Sequence, residues 1–305
     1  MWFRNLTVFR FSEKVSASLK NLDESLDQAR LRPCGPIELS TRGFVSPLGR
    51  NEEKLVYRVG EFALITVGSE DKLLPSTVVN EALAVKIEAI IEKEGRRIGA
   101  RERKRLKEEV FTDLLPRAFI RPSRLHAYLD SKNGWFVVDS ASRKQAEDAV
   151  TQVREALGSF PAIPASPEEA PRVLMTDWLI SGKLPPGLTL GDECELRDPA
   201  ESGAIVRCRR QDLETDEVRE HIKTGKQVFQ LGLTFEDRIS FVLGEDVVLR
   251  KLRFLDQVLD ELGEDSRESA AAELDARFAL MTLELERLLA RLQEWFGLPR
   301  PIDPA

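Results

Sequence analysis

The amino-acid sequence predicts a mixed α/β (α+β) fold, in which a β-rich region carries an inserted helical extension and is followed by a second α/β sub-domain. Short stretches that alternate apolar and polar residues predict β-strands. Longer stretches with apolar residues three and four positions apart predict amphipathic helices. The chain has 305 residues, more than one hydrophobic core usually accommodates, so we expect more than one structural unit.

The first predicted elements belong to the β-rich region. A strand is predicted at residues 2–11, with four core contacts: Phe3, Leu6, Val8 and Phe11. A helix is predicted at residues 14–30, where four apolar residues share one face: Val15, Leu19, Leu22 and Leu26. Glycines and prolines predict a loop at residues 34–47. A strand at residues 61–68 follows, and Ser76 is the expected N-cap of the next helix.

A long helical stretch at residues 77–115 interrupts the strand pattern. Gly95 and Gly99 break it, so the sequence is compatible with two antiparallel helices or with one long helix. Two strands and a helix are predicted after it, at residues 124–130, 134–139 and 142–157. We therefore assign residues 1–75 plus 119–160 to the N-terminal β-rich region and residues 76–118 to an inserted helical extension.

The C-terminal half is predicted to be a second α/β region. This region covers residues 172–305. A proline-rich segment at residues 161–171 is expected to link it to the first region. The predicted elements of the second region are a helix at 173–181, a strand at 203–210, a helix at 215–224, a three-stranded meander at 227–254 and acidic terminal helices. The terminal helices place seven apolar side chains on one face: Phe278, Met281, Leu285, Leu288, Leu289, Leu292 and Phe296.

Residues suited to catalysis are scarce. The chain has two histidines, His126 and His221, and a lone histidine is more often structural than catalytic. The spacings typical of phosphate-binding loops, dinucleotide-binding turns, serine-hydrolase elbows and zinc proteases are missing. The three cysteines, Cys34, Cys194 and Cys208, lack metal-binding spacing and are expected to be reduced. We predict no catalytic residue, no metal site and no cofactor.

Charge is distributed unevenly along the chain. The net charge of −7 alone argues against a nucleic-acid-binding protein, because phosphates are bound by lysine and arginine. Residues 86–126, however, carry a net charge of +5, whereas residues 256–305 carry −7. One region is therefore basic and the C-terminal segment is acidic, which makes the basic region a candidate contact for an anionic partner.

The densest basic run covers residues 96–107, where seven of twelve side chains are cationic. Helical positions three and four apart share one face, which would place Arg101, Lys104, Arg105 and Glu108 in one stripe. Such a stripe suits phosphates. Three more arginines continue the positive charge: Arg117, Arg121 and Arg124. The alternative is a solvated helix face on which the cations pair with nearby glutamates: Glu94, Glu102, Glu108 and Glu109.

A second basic cluster consists of Arg207, Arg209 and Arg210 beside Gln211. Neither cluster resembles a helix-turn-helix, a zinc finger or an aromatic RNA-binding motif. Cations without a base-reading element predict contacts with the nucleic-acid backbone and little sequence preference. The sequence leaves open whether the fold brings the two clusters together.

Six short blocks occur in the order that the RdgC family shows: WFRNLTVFR (2–10), PCG (33–35), LLPS (73–76), LLPRAF (114–119), ASRKQAED (141–148) and RRQDL (209–213). Together they make the sequence resemble that family over nearly the whole chain. The resemblance implies a fold that closes a ring as a homodimer, with duplex DNA in a positively charged hole. It further implies DNA binding without sequence specificity, a role in limiting access of RecA to DNA, and a role in replication-fork repair.

Three residues match positions to which the family assigns a role. Phe119 matches an aromatic residue at the helical dimer contact, and the alternative is a phenylalanine of the core. Arg210 and Gln211 match a Lys-Gln pair inside the ring; arginine keeps the charge but changes the geometry toward phosphate. Residues 120–124 depart from the serine-rich form of the family, so contacts there do not transfer directly.

The resulting hypothesis is a cytoplasmic, nucleoid-associated homodimer that binds double-stranded DNA without enzymatic activity and antagonises RecA, with direct contact to RecA left open. No membrane association is expected, because the chain lacks both a signal-peptide pattern and a long apolar stretch. Phe119 is the predicted dimer contact. The predicted DNA contacts are Arg96, Arg97, Arg101, Lys104, Arg105, Lys107, Arg117, Arg121, Arg207, Arg209, Arg210 and Gln211. The alternatives are a scaffold whose basic helix binds an acidic partner and a metal-dependent nuclease, for which no carboxylate stands out.

Overall fold

A computed structural model describes residues 1–50, 52–200, 203–263 and 269–302. Its helices and antiparallel sheets confirm the predicted α+β class. The strands are β1 (Thr7–Arg10), β2 (Ser40–Phe44), β3 (Val56–Val59), β4 (Phe62–Leu73), β5 (Phe119–Asp130), β6 (Trp135–Val138), β7 (Ile163–Pro164), β8 (Leu188–Arg197), β9 (Ile205–Arg209), β10 (Gln227–Phe235), β11 (Ile239–Gly244) and β12 (Leu249–Phe254). The α-helices are α1 (Glu13–Ser18), α2 (Leu22–Gln28), α3 (Ser76–Glu94), α4 (Ala100–Leu114), α5 (Arg143–Leu157), α6 (Pro171–Ser181), α7 (Asp216–Lys223), α8 (Asp256–Leu259) and α9 (Ala270–Phe296).

The first sheet contains seven strands in the order β2-β4-β5-β6-β1-β7, with β3 also paired to β4. Helices α1, α2 and α5 cover one face of its central part, where Leu22 and Val150 share a hydrophobic core with Phe136. A 3₁₀ turn at Leu19–Asn21 divides the single helix predicted at residues 14–30. The predicted buried face is nevertheless confirmed, since all four apolar residues named for it are buried.

Strands β4 and β5 form a long hairpin that extends beyond the central part of the sheet. They pair continuously from Phe62 opposite Asp130 to Leu73 opposite Phe119. Helices α3 and α4 lie between them in sequence and follow the open end of this hairpin. The two helices are antiparallel: Arg96 in their connection contacts Glu102 near the start of α4, whereas Lys86, earlier on α3, contacts Glu109, later on α4. The two-helix alternative of the sequence analysis is therefore confirmed.

The second sheet contains five antiparallel strands in the order β12-β11-β10-β8-β9. One of its faces packs on α6, α7 and α9 and shares a core with the first sheet; Leu231, Leu64 and Phe278 belong to that core. All seven apolar residues predicted to share a face of the terminal helices lie buried on α9. Across the described ranges, no helix is both long and apolar enough to cross a membrane.

The N-terminal segment joins the two sheets. Leu6 and Leu249 exchange backbone hydrogen bonds of 2.8 and 3.0 Å, and the N–H of Leu252 donates to the carbonyl of Arg4 at 2.8 Å. The same segment then enters the first sheet as β1, where Thr7 pairs with Val138. Residues 4–6 therefore hold the edge strand β12 against the first sheet.

Two local predictions for residues 34–76 were wrong. The predicted loop at 34–47 contains β2, which lacks apolar alternation because Gly43 packs its backbone against the chain at Leu31. A Cβ at Gly43 would lie 2.5 Å from the backbone nitrogen of Leu31. Ser76 is the first residue of α3, and Pro75 occupies the N-cap position without a side-chain hydrogen bond.

Other elements differ in extent from the predictions. The sequence of residues 184–190 is typical of a turn-rich approach to residues 194–196, but residues 188–197 form the continuous strand β8. Strands β4 and β5 extend beyond the predicted residues 61–68 and 124–130. The prediction missed their outer parts because these parts are largely polar and show no apolar alternation. The segment at 161–171 contains β7, whose two residues pair with β1.

His126 lies in the β4–β5 hairpin, with its Nδ1 2.8 Å from the hydroxyl oxygen of Thr66. Burial, with a smaller contribution from Arg124, lowers the pKa of His126 from 6.5 to about 4. The folded protein therefore favours the neutral ring, and the free energy of unfolding is expected to fall as the pH drops from about 6.5 to about 4. We predict that His126→Gln removes this part of the pH dependence. Urea unfolding of both proteins at several pH values in this window tests it, and equal slopes would contradict it.

Candidate nucleic-acid interface

The five-stranded sheet has an outer face, defined here as the face opposite α6, α7 and α9. Side chains alternate along its strands, so Cys208 of β9 and Leu252 of β12 point into the core. A depression of about 460 Å³ in the outer face is lined by four cationic residues and two carboxylates: Arg209, Arg210, Lys251, Arg253, Asp192 and Glu193. The structure thus brings two cationic stretches about 40 residues apart in sequence onto one surface.

Three of these cations have no counter-ion in the described part of the chain: Arg209, Arg210 and Arg253. Arg210 adopts a φ of 53°, a left-handed conformation that non-glycine residues rarely take, and it ends β9 with a sharp turn. Gln211 follows, with its Nε2 3.3 Å from a carboxylate oxygen of Glu217. Glu193 is the cross-strand neighbour of Arg209, but none of the three guanidinium groups forms an ion pair within 4 Å among the described residues. Exposed guanidinium groups of this kind bind phosphate oxygens.

Arg207 differs from its two neighbours because it is held in an ion-pair network. Its Nε donates to Glu195 at 2.6 Å, and the Nε of Arg197 donates to the other oxygen of the same carboxylate at 2.6 Å. Burial alone would raise the pKa of Glu195, but hydrogen bonds from Arg207 and Arg197 outweigh it and lower that pKa. Arg207 is therefore engaged within the sheet, in contrast to Arg209.

A second cavity, of about 430 Å³, contains two of the arginines considered in the sequence analysis, Arg121 and Arg124. Its lining carries as many carboxylates as guanidinium groups: Arg42, Arg121, Arg124, Asp71, Asp139 and Asp148. Asp139 accepts backbone hydrogen bonds from Arg4 at 2.8 Å and Asn5 at 3.0 Å. The side-chain oxygen of Asn5 in turn accepts from the backbone N–H of Lys251 at 3.3 Å. These contacts link Asp139, in the lining of this cavity, to Lys251 on the outer face of the second sheet.

The predicted cations of the helical extension lie on a different part of the molecule. Four of them are exposed and have no ion pair among the residues that the structure describes: Arg97, Arg101, Lys104 and Lys107. Arg96 instead binds Glu102 through two hydrogen bonds of 2.7 Å and also contacts Glu94. Arg105 lies 3.5 Å from Glu109. The solvated ion-pair interpretation therefore describes Arg96 and Arg105 but not the other four residues.

Phe119 is the first residue of β5 and is 83% exposed. The alternative interpretation as a core phenylalanine was wrong. Arg117, in the 3₁₀ turn just before it, is also exposed. Ile120 and Leu73 expose further apolar surface at the same end of the hairpin. Phe119 and Leu73 are direct cross-strand neighbours on one face of the hairpin, and adjacent exposed apolar side chains are typical of protein–protein contacts.

Sequence reasoning missed three cations near the predicted ones: Arg4, Lys251 and Arg253. Lys251 and Arg253 were visible as alternate residues of a predicted strand. However, Lys251 has a φ of 53°, which interrupts the regular alternation of side chains along β12. The sequence pattern therefore did not show that Lys251 and Arg253 lie on the outer face. Arg4 lies near them because residues 4–6 pair with β12, a long-range contact without a local signal.

The described residues contain no group of three histidine, cysteine, aspartate or glutamate side chains that could hold a metal ion. Cys194 and Cys208 are buried cross-strand neighbours in β8 and β9. Burial first, and the neighbouring Cys208 second, raise the pKa of Cys194 to about 12, which disfavours a reactive thiolate.

The fold and this surface define an α+β protein whose cationic sheet face is suited to an extended polyanion. A family model described as "Putative exonuclease, RdgC" matches residues 1–298. The chain is 50% identical to the recombination-associated protein RdgC of Xanthomonas axonopodis pv. citri (strain 306) over 294 residues, which cover 96% of this chain and 97% of the relative. It is 48% identical to the protein of the same name from Stenotrophomonas maltophilia (strain R551-3) over 301 residues, which cover 98% and 99%.

The chain therefore belongs to the RdgC family of recombination-associated proteins. The family resemblance found in the sequence is confirmed. Both relatives align with this chain over nearly their whole lengths, so the family assignment covers both sheets and the helical extension.

Proposed function

We propose that this protein binds double-stranded DNA without sequence preference, encircles it as a ring-shaped homodimer and has no enzymatic activity. In the cell, this activity would modulate RecA-dependent recombination and replication-fork repair at the nucleoid. The observation that carries the proposal is the outer face, where Arg209, Arg210 and Arg253 have no counter-ion among the described residues. The printed name of the relatives, recombination-associated protein, supports the biological context.

The absence of sequence preference follows from the chemistry of the outer face. Guanidinium groups on a sheet bind phosphate oxygens, which are the same for every base pair. A protein that contacts only the backbone follows the shape and charge of the duplex. The surface therefore suits a protein that acts wherever DNA is accessible.

A ring reconciles the cationic face with an acidic protein. Charges that line an enclosed channel act on the duplex from several sides, whereas acidic groups on the outside do not contact it. A two-fold dimer also uses each contact twice, with the same patch on both subunits. The apolar end of the hairpin at Phe119 is a suitable subunit contact, and the exposed cations of α4 beside it would then contribute to the lining of the channel.

The proposed function is tested by measuring binding of the purified protein to several unrelated duplexes of equal length, from low to moderate salt. The proposal predicts similar affinities for all sequences and a steep loss of affinity with salt. A strong preference for one sequence, or an affinity independent of salt, would overturn it. Incubation of the same duplexes with Mg²⁺ or Mn²⁺ tests the non-enzymatic part, because shortened strands would demonstrate nuclease activity. The scaffold alternative predicts negligible DNA binding.

We predict that Phe119→Ala weakens the dimer and changes binding to covalently closed circular DNA more than binding to linear DNA. Burial of one phenylalanine side chain contributes roughly 2 kcal/mol, and a two-fold contact contains it twice. Sedimentation of the variant should show more monomer at a given concentration. Val173→Ala, at an exposed apolar position on α6, is the control. Equal effects on circular and linear DNA would show that the ring does not open at the Phe119 contact.

A further inference from the structure

The outer face also carries carboxylates, and one of them faces a lysine across the sheet. Glu193 of β8 and Lys251 of β12 form an ion pair between the carboxylate Oε2 and Nζ. Resting on the function proposed above, we propose that Glu193 restrains Lys251 and so limits the affinity of the outer face for DNA. In this interpretation Lys251 could bind a DNA phosphate, but in the native protein its ammonium group is paired with Glu193 instead.

The strand order and a glycine between the two residues allow Glu193 and Lys251 to form this pair. Strands β10 and β11 lie between β8 and β12, so the two side chains extend toward each other over the strands between them. Gly232 of β10 lies beneath the pair, and a Cβ at this position would be 3.3 Å from the Cγ of Glu193 and 2.9 Å from its carbonyl oxygen. The lack of a side chain at Gly232 therefore provides the space that Glu193 occupies.

Lys251 is held in place by its backbone as well as by Glu193. Its φ of 53° is a left-handed conformation that a lysine rarely adopts. Its backbone N–H donates to the side chain of Asn5, which belongs to the segment that joins the two sheets. The backbone thus fixes the position of the Lys251 Cα, and the ion pair with Glu193 fixes the position of its ammonium group.

The consequence for DNA binding is a lower number of phosphate contacts. An ammonium group already paired with a carboxylate releases few counterions when DNA approaches, because its charge is compensated. The carboxylate also repels the phosphates beside Arg209. A protein with moderate affinity exchanges between sites along DNA more readily than one with every cation engaged, so Glu193 would favour mobility over retention.

The test is DNA affinity as a function of salt for Glu193→Gln, Lys251→Gln and the double variant, all as full-length protein. Glu193→Gln is expected to bind duplex DNA on the order of fivefold more tightly at about 0.1 M salt, because one more phosphate contact forms. The slope of log K against log salt should steepen by about 0.9 per protomer. In the Lys251→Gln background the same substitution should leave the slope unchanged.

The matched control is Glu147→Gln, which removes a carboxylate paired with Arg143 on the exposed side of α5. It should change neither the affinity nor the slope, and thermal unfolding of each variant shows whether the sheet is intact. Native affinity for DNA with no tightening in Glu193→Gln would overturn the restraint and leave the proposed function in place. An equal change of slope with and without Lys251 would show that Glu193 acts through its charge alone, which also overturns it. Failure of the native protein to bind DNA would reject the proposed function itself.

Discussion

Replacing Arg209, Arg210 and Arg253 together by glutamine is expected to weaken binding to duplex DNA by at least two orders of magnitude. Each of these guanidinium groups lacks a counter-ion among the described residues and lies on the outer face. Loss of one charge-assisted contact costs about 1 kcal/mol or more, and three such losses correspond to roughly a hundredfold. Fluorescence anisotropy with a labelled duplex measures this change directly.

The salt dependence separates a loss of phosphate contacts from a loss of folding. The slope of log K against log salt should fall by roughly 0.9 for each contact removed, or about 3 per protomer. The matched control replaces three exposed lysines on other parts of the chain by glutamine: Lys20, Lys54 and Lys144. The same loss of affinity in the control would show that total charge, and not the outer face, determines binding.

Arg238→Ala is expected to lower the free energy of unfolding by about 3 kcal/mol, the largest stability effect that we predict for a single substitution. Arg238 follows β10 and binds both oxygens of Glu284 on α9, at 2.9 and 2.8 Å. The Glu284 side chain is 1% exposed, so the substitution leaves a buried carboxylate without its main partner. Uncompensated burial of a charge typically costs about 3 to 5 kcal/mol. We expect the lower end, because Arg287 also lies 3.4 Å from Glu284.

Urea unfolding followed by circular dichroism tests this prediction. Arg291→Ala is the control, because Arg291 forms an exposed pair with Glu294 one helical turn away. That substitution should change the free energy of unfolding by no more than about 0.5 kcal/mol. A loss below about 1 kcal/mol for Arg238→Ala would mean that the pair does not hold α9 against the second sheet.

Elements whose burial follows a simple period were predictable from the sequence. The face of α9 and the helical residues Val15, Leu19, Leu22 and Leu26 repeat every three or four positions, and all of them are buried. Strand β2 was not predictable, because Gly43 packs through its backbone and leaves no pattern of side chains. The polar ends of β4 and β5 were missed for a related reason, since pairing continues where burial stops.

Only part of the candidate interface was predictable. The dense run of cations at residues 96–107 was recognisable from the sequence. The folded chain shows that Arg96 and Arg105 in this run have carboxylate partners. Lys251 was overlooked because its backbone conformation breaks the alternation of β12. Arg4 was overlooked because it approaches the outer face through pairing between residues more than 240 positions apart. Local sequence patterns identify cations, whereas long-range pairing determines which of them share a surface.

Encirclement of DNA is tested most directly by a topological experiment. The protein is bound to a covalently closed circular plasmid, the complex is washed with concentrated salt, and the circle is then cut once by a restriction enzyme. The account predicts that protein withstands the wash on the closed circle and dissociates after the cut, because a ring leaves DNA only at an end. Complete release during the wash, or equal retention before and after cutting, would contradict the ring.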